Sequence, residues 1–287
     1  MGDRNRGLRG ALRRFRRAKK QLGIRVRRPF VWLVSRLIPD SWTRGALYYV
    51  WERNGLQISR THYYSPFPDT RRLDPALFEP RPVPEGLDFR VPEQLALLER
   101  LAARFGEEWA RLPLERSADP CQFSFENSSF HTVDAEILYG LLRDQKPRQM
   151  IEVGSGNTTL LAAEALRINR EEGAPCEFIA IEPYPDGRLR RAIDAGLPGL
   201  SKLVQQPIER IPLSTFEDLD AGDVLFIDST HIVRTGGDVV YEFLEVLPRI
   251  AVGVWVHIHD IFLPDEYPRE WLLESATFYN EQYLLQA

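Results

Sequence analysis

At 287 residues the chain is long enough for one large domain or a domain with an extension, and its two cysteines, Cys121 and Cys176, exclude a disulfide framework and lack metal-ligand spacing. The net charge of −4 is unevenly spread: residues 1–28 hold twelve Arg or Lys against one acid, Asp3, so that segment is +11 and the remainder −15. An acidic body with a basic arm argues against a nucleic-acid-binding domain, and no apolar run reaches the ~20 residues that a membrane span needs.

Leu8, Leu12, Phe15, Ala18 and Leu22 recur at helical spacing among the basic residues. Residues 1–28 therefore read either as an amphipathic helix for an anionic lipid surface or as a solvated, disordered charge run. Residues 29–125 form an N-terminal extension, rich at first in aromatics and prolines, including Trp32, Trp42, Trp51 and His62-Tyr63-Tyr64-Ser65-Pro66-Phe67-Pro68. Such a segment suits a cap over a catalytic domain, or a wrap whose aromatics fill core. Within it Leu95, Leu98, Leu101 and Phe105 predict a helix over Pro92–Trp109. Thr132 is placed to cap a helix running through Leu142, with Asp134 and Glu136 in its first turn.

From Met150 the pattern alternates. Strands are expected at Met150–Val153, Phe178–Ile181, Lys202–Gln205, Val224–Ile227 and Val252–Ile258, with helices at Thr158–Ile168, Arg188–Ala195 and Val239–Leu247. This predicts an α/β fold with a doubly wound parallel sheet that binds ligands at the carboxyl ends of its strands. After Asp260 come a proline loop and a helix from Glu270 to about Leu285.

The stretch Ile151–Leu160, IEVGSGNTTL, is strand, glycine turn, helix. Glycines allow close backbone approach, and the helix start presents free N–H groups to a polar or anionic ligand. Thr159 stands where a dinucleotide fingerprint wants Gly or Ala, whereas Glu152 can hold the amino group of a bound amino-acid moiety. Glu182 ends the second strand, where its two oxygens can accept both hydroxyls of a ribose. Gln206 can bond a base edge or lie in a surface loop. Asp228 and His231 follow the fourth strand; His257, His259 and Asp260 end the fifth. Two acids and up to three imidazoles thus converge on one rim, a donor set that suits a divalent cation. His257 lies one layer deeper and reads as a core histidine.

Glu152-x-Gly154-x-Gly156 with Asn157 and Thr158 resembles motif I of the class I S-adenosylmethionine (SAM) methyltransferases. Ile151–Leu160, Ile179–Tyr184, Phe226–His231 and Val256–Phe262 together resemble their "family 24" group, over about residues 127–287. Asp228-x-x-His231 and the end of the fifth strand are also similar to metal-dependent sugar O-methyltransferases. The resemblance implies a Rossmann-like sheet in residues 126–287 that lacks its last two strands, leaving Val252–Val256 as an open edge suited to pairing with a second copy. It implies SAM held by Glu152, Gly154, Ser155, Gly156, Asn157, Thr158, Glu182, Gln206 and Asp228. It implies magnesium or manganese on Asp228, His259 and Asp260, with His231 as base; His259, where an acid is expected, is a second candidate base. The expected function is O-methylation of a sugar or other hydroxylated small molecule by a cytoplasmic enzyme, with membrane contact at the inner face through residues 1–28. Alternatives are a non-catalytic SAM-binding scaffold at a membrane and an NAD-linked oxidoreductase.

Overall fold

The computed structural model describes residues 27–127 and 129–287. The chain forms two compact units, one ending at Leu73 and the other spanning Asp74–Ala287. The expected helix of residues 1–28 lies almost wholly outside the described residues. In the first unit, residues 27–37 are helical and a second helix, α1, covers Gly45–Arg53. The His62–Phe67 aromatics belong to this unit, and Tyr63 and Tyr64 are exposed.

The second unit begins well before residue 126. Helix α2 (Val91–Trp109) buries Leu101 and Phe105, and the Leu101 side chain approaches Gly140 of α3 (Asp134–Gln145). The expected boundary at 125/126 therefore cuts through packed structure, because α2 has an apolar stripe that it covers with α3. Arg143 of α3, almost wholly buried, reinforces this packing. Its Nε donates to Glu108 Oε2 at 3.0 Å and its Nη2 to Glu172 Oε1 at 2.6 Å, while Nη1 donates to Asn169. Tyr139 also donates its hydroxyl to Glu108, at 2.7 Å.

The sheet has five parallel strands in the order β3-β2-β1-β4-β5: β1 Gln149–Val153, β2 Glu177–Ile181, β3 Lys202–Val204, β4 Val224–Ile227 and β5 Trp255–Ile258. Helices α4 (Asn157–Glu171) and α5 (Gly187–Asp194) follow β1 and β2. Alternation along the strands feeds two cores. Met150, Phe178 and Phe226 pack with Leu138, Leu142 and Leu161 on one side. Ile151, Ile181, Leu225 and Ile227 pack with Ile208, Phe216 and Val246 on the other. Burial on both faces is why the inner strands read as unbroken apolar runs.

Several expected elements are shorter or differently capped. Val133, not Thr132, is the residue before α3, and it offers no side-chain cap. The fifth strand starts at Trp255, because Gly253 takes a left-handed φ of 96° and Val252 is left in the preceding turn. A short α6 (Ser214–Glu217) precedes β4, and the expected helix after β4 is mixed: α7 covers Asp238–Tyr241 and then widens into a π-helical turn over Glu242–Val246. The C-terminal helix is split into α8 (Arg269–Leu273) and α9 (Glu281–Gln286). In the break, Asn280 N donates to the His231 carbonyl at 3.0 Å and Asn280 Oδ1 accepts from Val233 N at 2.6 Å. A continuous helix cannot make both bonds, so docking onto the loop after β4 overrides helical propensity.

Truncating Arg143 to Ala removes a buried guanidinium from Glu108 and Asn169, while half-exposed Glu172 keeps Lys146, so the loss is nearer the ~1–3 kcal/mol of charged hydrogen bonds than the cost of an orphaned buried charge. Urea unfolding of Arg143→Ala should show a clearly lower midpoint; an unchanged midpoint would mean the network contributes nothing.

Candidate functional site

The strand register builds the site. Val153 pairs with Ile181 and Ile227, and Ile227 pairs with Ile258. The residues that follow, Gly154, Glu182, Asp228 and His259, therefore leave the sheet at one level. Gly154 has φ 80°, and a Cβ there would lie 1.8 Å from the Asp228 carbonyl oxygen. Only glycine lets the β1 and β4 ends approach this closely.

Glu152 is wholly buried. Its two carboxylate oxygens accept hydrogen bonds from the hydroxyls of Thr158 and Thr159, each at 2.6 Å. The Thr159 hydroxyl also accepts from Gly156 N at 2.9 Å. Glu152 thus ties the glycine turn to the first turn of α4, and its carboxylate faces the threonines. Thr159, the departure from a dinucleotide fingerprint, is a working part of the turn.

Glu182 accepts from Tyr184 N at 2.7 Å through Oε1 and from Ser155 N at 3.2 Å through Oε2. It stands between two cavities. One, of about 380 Å³, is lined by Gly154, Tyr184, Ile208, Asp228 and Arg234 among others. The second, of about 230 Å³, is lined by Ser155, Gly156, Asn157 and Arg188. Asn157 is clamped: its Oδ1 accepts from Arg188 at 2.7 Å and its Nδ2 donates to Ser129 at 2.9 Å. Gln206 is exposed and lines neither cavity; Pro207, Ile208 and Glu209 line the first in its place.

Beyond Asp228 lies the charged cluster. His231 is 4% exposed. Its Nε2 is 3.1 Å from Asp228 Oδ1 and 3.7 Å from Asp260 Oδ2. Its Nδ1 bonds to Glu281, and the Tyr279 ring lies 4.4 Å away, centroid to centroid. Ligand atoms of Asp228, His231 and Asp260 all fall within 4.8 Å of one another. His259 is not in that set. Its ring packs toward Phe130 and Phe226, with Nδ1 3.5 Å from His257 Nε2 and Nε2 3.7 Å from the other Asp260 oxygen. His231 thus stands with the two aspartates in the place where the sequence suggests His259. Strand alternation keeps His257 and His259 on one face, whereas His231 and Asp260 both take left-handed backbone, φ 59° and 54°, that turns them toward Asp228.

Glu281 is the member that sequence reasoning missed. It is wholly buried and reaches the site only because the C-terminal helix breaks just before it. No local motif marks it. Nearby, the π turn brings in buried Glu242, which accepts from Ser229 at 3.0 Å, and Asp238 accepts from Thr230 N and Oγ1.

Burial opposes charge on His231, but its bonds to Asp228 and Glu281 outweigh that and raise its pKa to about 10. Burial raises Glu281, while the bond to His231 acts the other way. At neutral pH the imidazolium form of His231 is favoured, with Nδ1–H donating to Glu281. Burial, then the charge on His259, pushes His257 down to about 4, so it is a neutral, half-buried ring. Burial raises Glu152 to about 7 and Glu242 to about 8.

A glycine turn at the β1 end, an acid at the β2 end and an acid at the β4 end meet over one cavity. Against known proteins, the profile of a methyltransferase domain of the "family 24" type matches residues 151–261. An uncharacterized protein of Archaeoglobus fulgidus is 30% identical over 166 residues, 55% of this chain and 72% of that protein. Residues 151–261 form a methyltransferase domain of the class I type. No solved structure matches it significantly.

The family implies SAM as methyl donor, and this methyltransferase fits it. Nothing lies within 4 Å of where a Gly156 Cβ would be, so the backbone at the start of α4 stays open to a ligand. The Glu182 oxygens line the adjoining cavity and each has a lone pair to spare. The Asp228–His231–Asp260 set offers one nitrogen and two carboxylate oxygens, donors of the kind a small divalent cation takes.

Glu152 is a carboxyl whose pKa is raised on folding. Its contribution to stability is complete below the unfolded value near 4.5 and is lost as pH rises through about 7. Glu152→Gln keeps the size and removes the titration. Between pH 5 and 8 the stability difference should move in favour of the variant by ~2–3 kcal/mol, read from melts at each pH. Parallel profiles would show that Glu152 titrates in the ordinary range.

Proposed function

We propose that this methyltransferase is a SAM-dependent O-methyltransferase for a sugar or other hydroxylated small molecule, with a divalent cation beside the methyl-transfer site. The observation that carries the proposal is the three-sided set of Asp228, His231 and Asp260, backed by Glu281 and adjoining the glycine turn.

SAM supplies a methyl group already activated by its sulfonium. The turn of Gly154–Gly156, the first-turn N–H groups of α4 and the Glu182 carboxylate would hold its amino-acid and ribose parts. A bound cation would lower the pKa of an acceptor hydroxyl and orient it. Asp228, His231 Nε2 and Asp260 are the residues to hold that cation. Glu281 accepts from His231 Nδ1, which fixes the ring so that Nε2 points at the two aspartates.

The same geometry recasts the choice of base. A cationic His231 cannot take a proton, and a His231 bound to metal through Nε2 cannot either. His259, beside Asp260 and outside the ligand set, is the imidazole left for the acceptor proton. Positioning of the acceptor supplies much of the remaining acceleration. The NAD-linked alternative has no comparable support, because Thr159 is built into the turn where that site needs Gly or Ala.

Calorimetry with S-adenosylhomocysteine tests the cofactor: Glu182→Ala should weaken binding at least about tenfold, as loss of hydrogen bonds from a carboxylate does. Manganese titration tests the cation. Asp260→Ala should abolish it with S-adenosylhomocysteine binding retained, and Glu281→Gln should weaken it ~10–100-fold with the fold intact by circular dichroism. Manganese binding unchanged in Asp260→Ala would sink the metal reading and leave the methyltransferase assignment standing.

A further inference from the structure

The first unit has almost no interior. Among its described residues, 27–73, Thr43 is the one that is buried. Every residue of the helix over 27–37 is exposed, yet the helix carries Phe30, Val31, Trp32, Leu33, Val34 and Leu37. Phe30 is 68% exposed, Leu37 67% and Trp32 57%. The apolar surface continues past the helix: Trp42, Leu47, Tyr49 and Val50 are exposed on the segment through α1. So many exposed large apolar side chains in one short segment mark an interaction surface.

Two observations select the partner. The first is charge. Arg27, Arg28, Arg36, Arg44 and Arg53 are interleaved with the apolar residues against Asp40 and Glu52, and residues 1–28 carry +11. The second is amphipathic detail. The Arg36 guanidinium lies 4.8 Å over the Trp32 ring, and Trp51 donates its indole N–H to the Trp42 carbonyl at 2.9 Å. Tryptophan, tyrosine and arginine are the residues that sit at the boundary between lipid tails and headgroups. No helix among the described residues is long and apolar enough to span a membrane. A segment whose exposed aromatic and aliphatic side chains alternate with arginines suits the plane of a membrane surface. Nucleic acid would match the charge but not the protruding Phe30, Trp32 and Leu37.

We propose that residues 27–53 form a peripheral docking surface for an anionic lipid bilayer. Phe30, Trp32, Leu33 and Leu37 enter the headgroup boundary, and the arginines meet lipid phosphates. The basic segment before them supplies long-range attraction, which salt screens. This surface is independent of the methyl-transfer chemistry, so either can fail without the other.

The test is flotation of the full chain with vesicles of phosphatidylcholine alone and with about 30% phosphatidylglycerol, at low and high salt. The protein should float with the anionic vesicles, at least about tenfold more weakly with the neutral ones, and less at high salt. Trp32→Glu/Leu33→Glu should reduce flotation at least about tenfold while S-adenosylhomocysteine affinity holds. In the unaltered chain, brominated lipid should quench tryptophan fluorescence. Absence of quenching and flotation overturns the proposal. Flotation unchanged in the double variant overturns it too, since the basic segment alone would then suffice. A dimer in solution that the double variant dissociates, without vesicle binding, assigns the surface to a second copy instead. Retention on single-stranded RNA without flotation assigns it to nucleic acid.

Discussion

A carboxylate with no access to water holds the centre of this protein together. Glu152 sits at the end of β1 with each oxygen bonded to a threonine hydroxyl on the first turn of α4. Those bonds offset part of the cost of burying the acid, and they set the path of the chain between strand and helix. Through Thr159 they reach back to Gly156 N, so the turn is closed on itself. Ser155 N, on the outer side of the same turn, donates to Glu182. The acid of β2 is thereby fixed relative to the glycine turn.

The second constraint is the parallel register. Four strands end within one residue of the same level, and this brings residues far apart in the chain to one rim. The close approach of Gly154 to the Asp228 carbonyl locks β1 to β4 there. What lies past the rim is decided by departures from regular structure. Left-handed backbone at His231 and Asp260 turns two side chains toward Asp228, and the break before α9 inserts Glu281 behind the imidazole. The result is one imidazole among three carboxylates, which favours a positive charge in that place, whether a proton or a metal ion.

Much of the fold was legible beforehand. Glycine turns, apolar runs of four or five residues and intervening helical periods locate all five strands to within a few residues, because burial on both faces forces that pattern. The places that resisted reading were those where a neighbour overrides a local preference. Val252 looks like strand and is turn, since Gly253 bends the chain. The C-terminal periodicity looks like one helix and is two, since Asn280 bonds to the loop after β4.

The sequence by itself determined the strand–turn–helix order, the acids at the strand ends and the family that these segments mark, because each rests on residues adjacent in the chain. Tertiary structure alone decided which imidazole joins Asp228 and Asp260. Strand periodicity sets His259 beside Phe226 and Phe130, while a left-handed turn, invisible in the alternation of residues, delivers His231. It alone decided that Glu152 serves the turn, because only packing takes that carboxylate out of water. And it alone joined Glu281 to His231 across fifty positions, since no local rule relates two residues that meet only through the docking of a chain end.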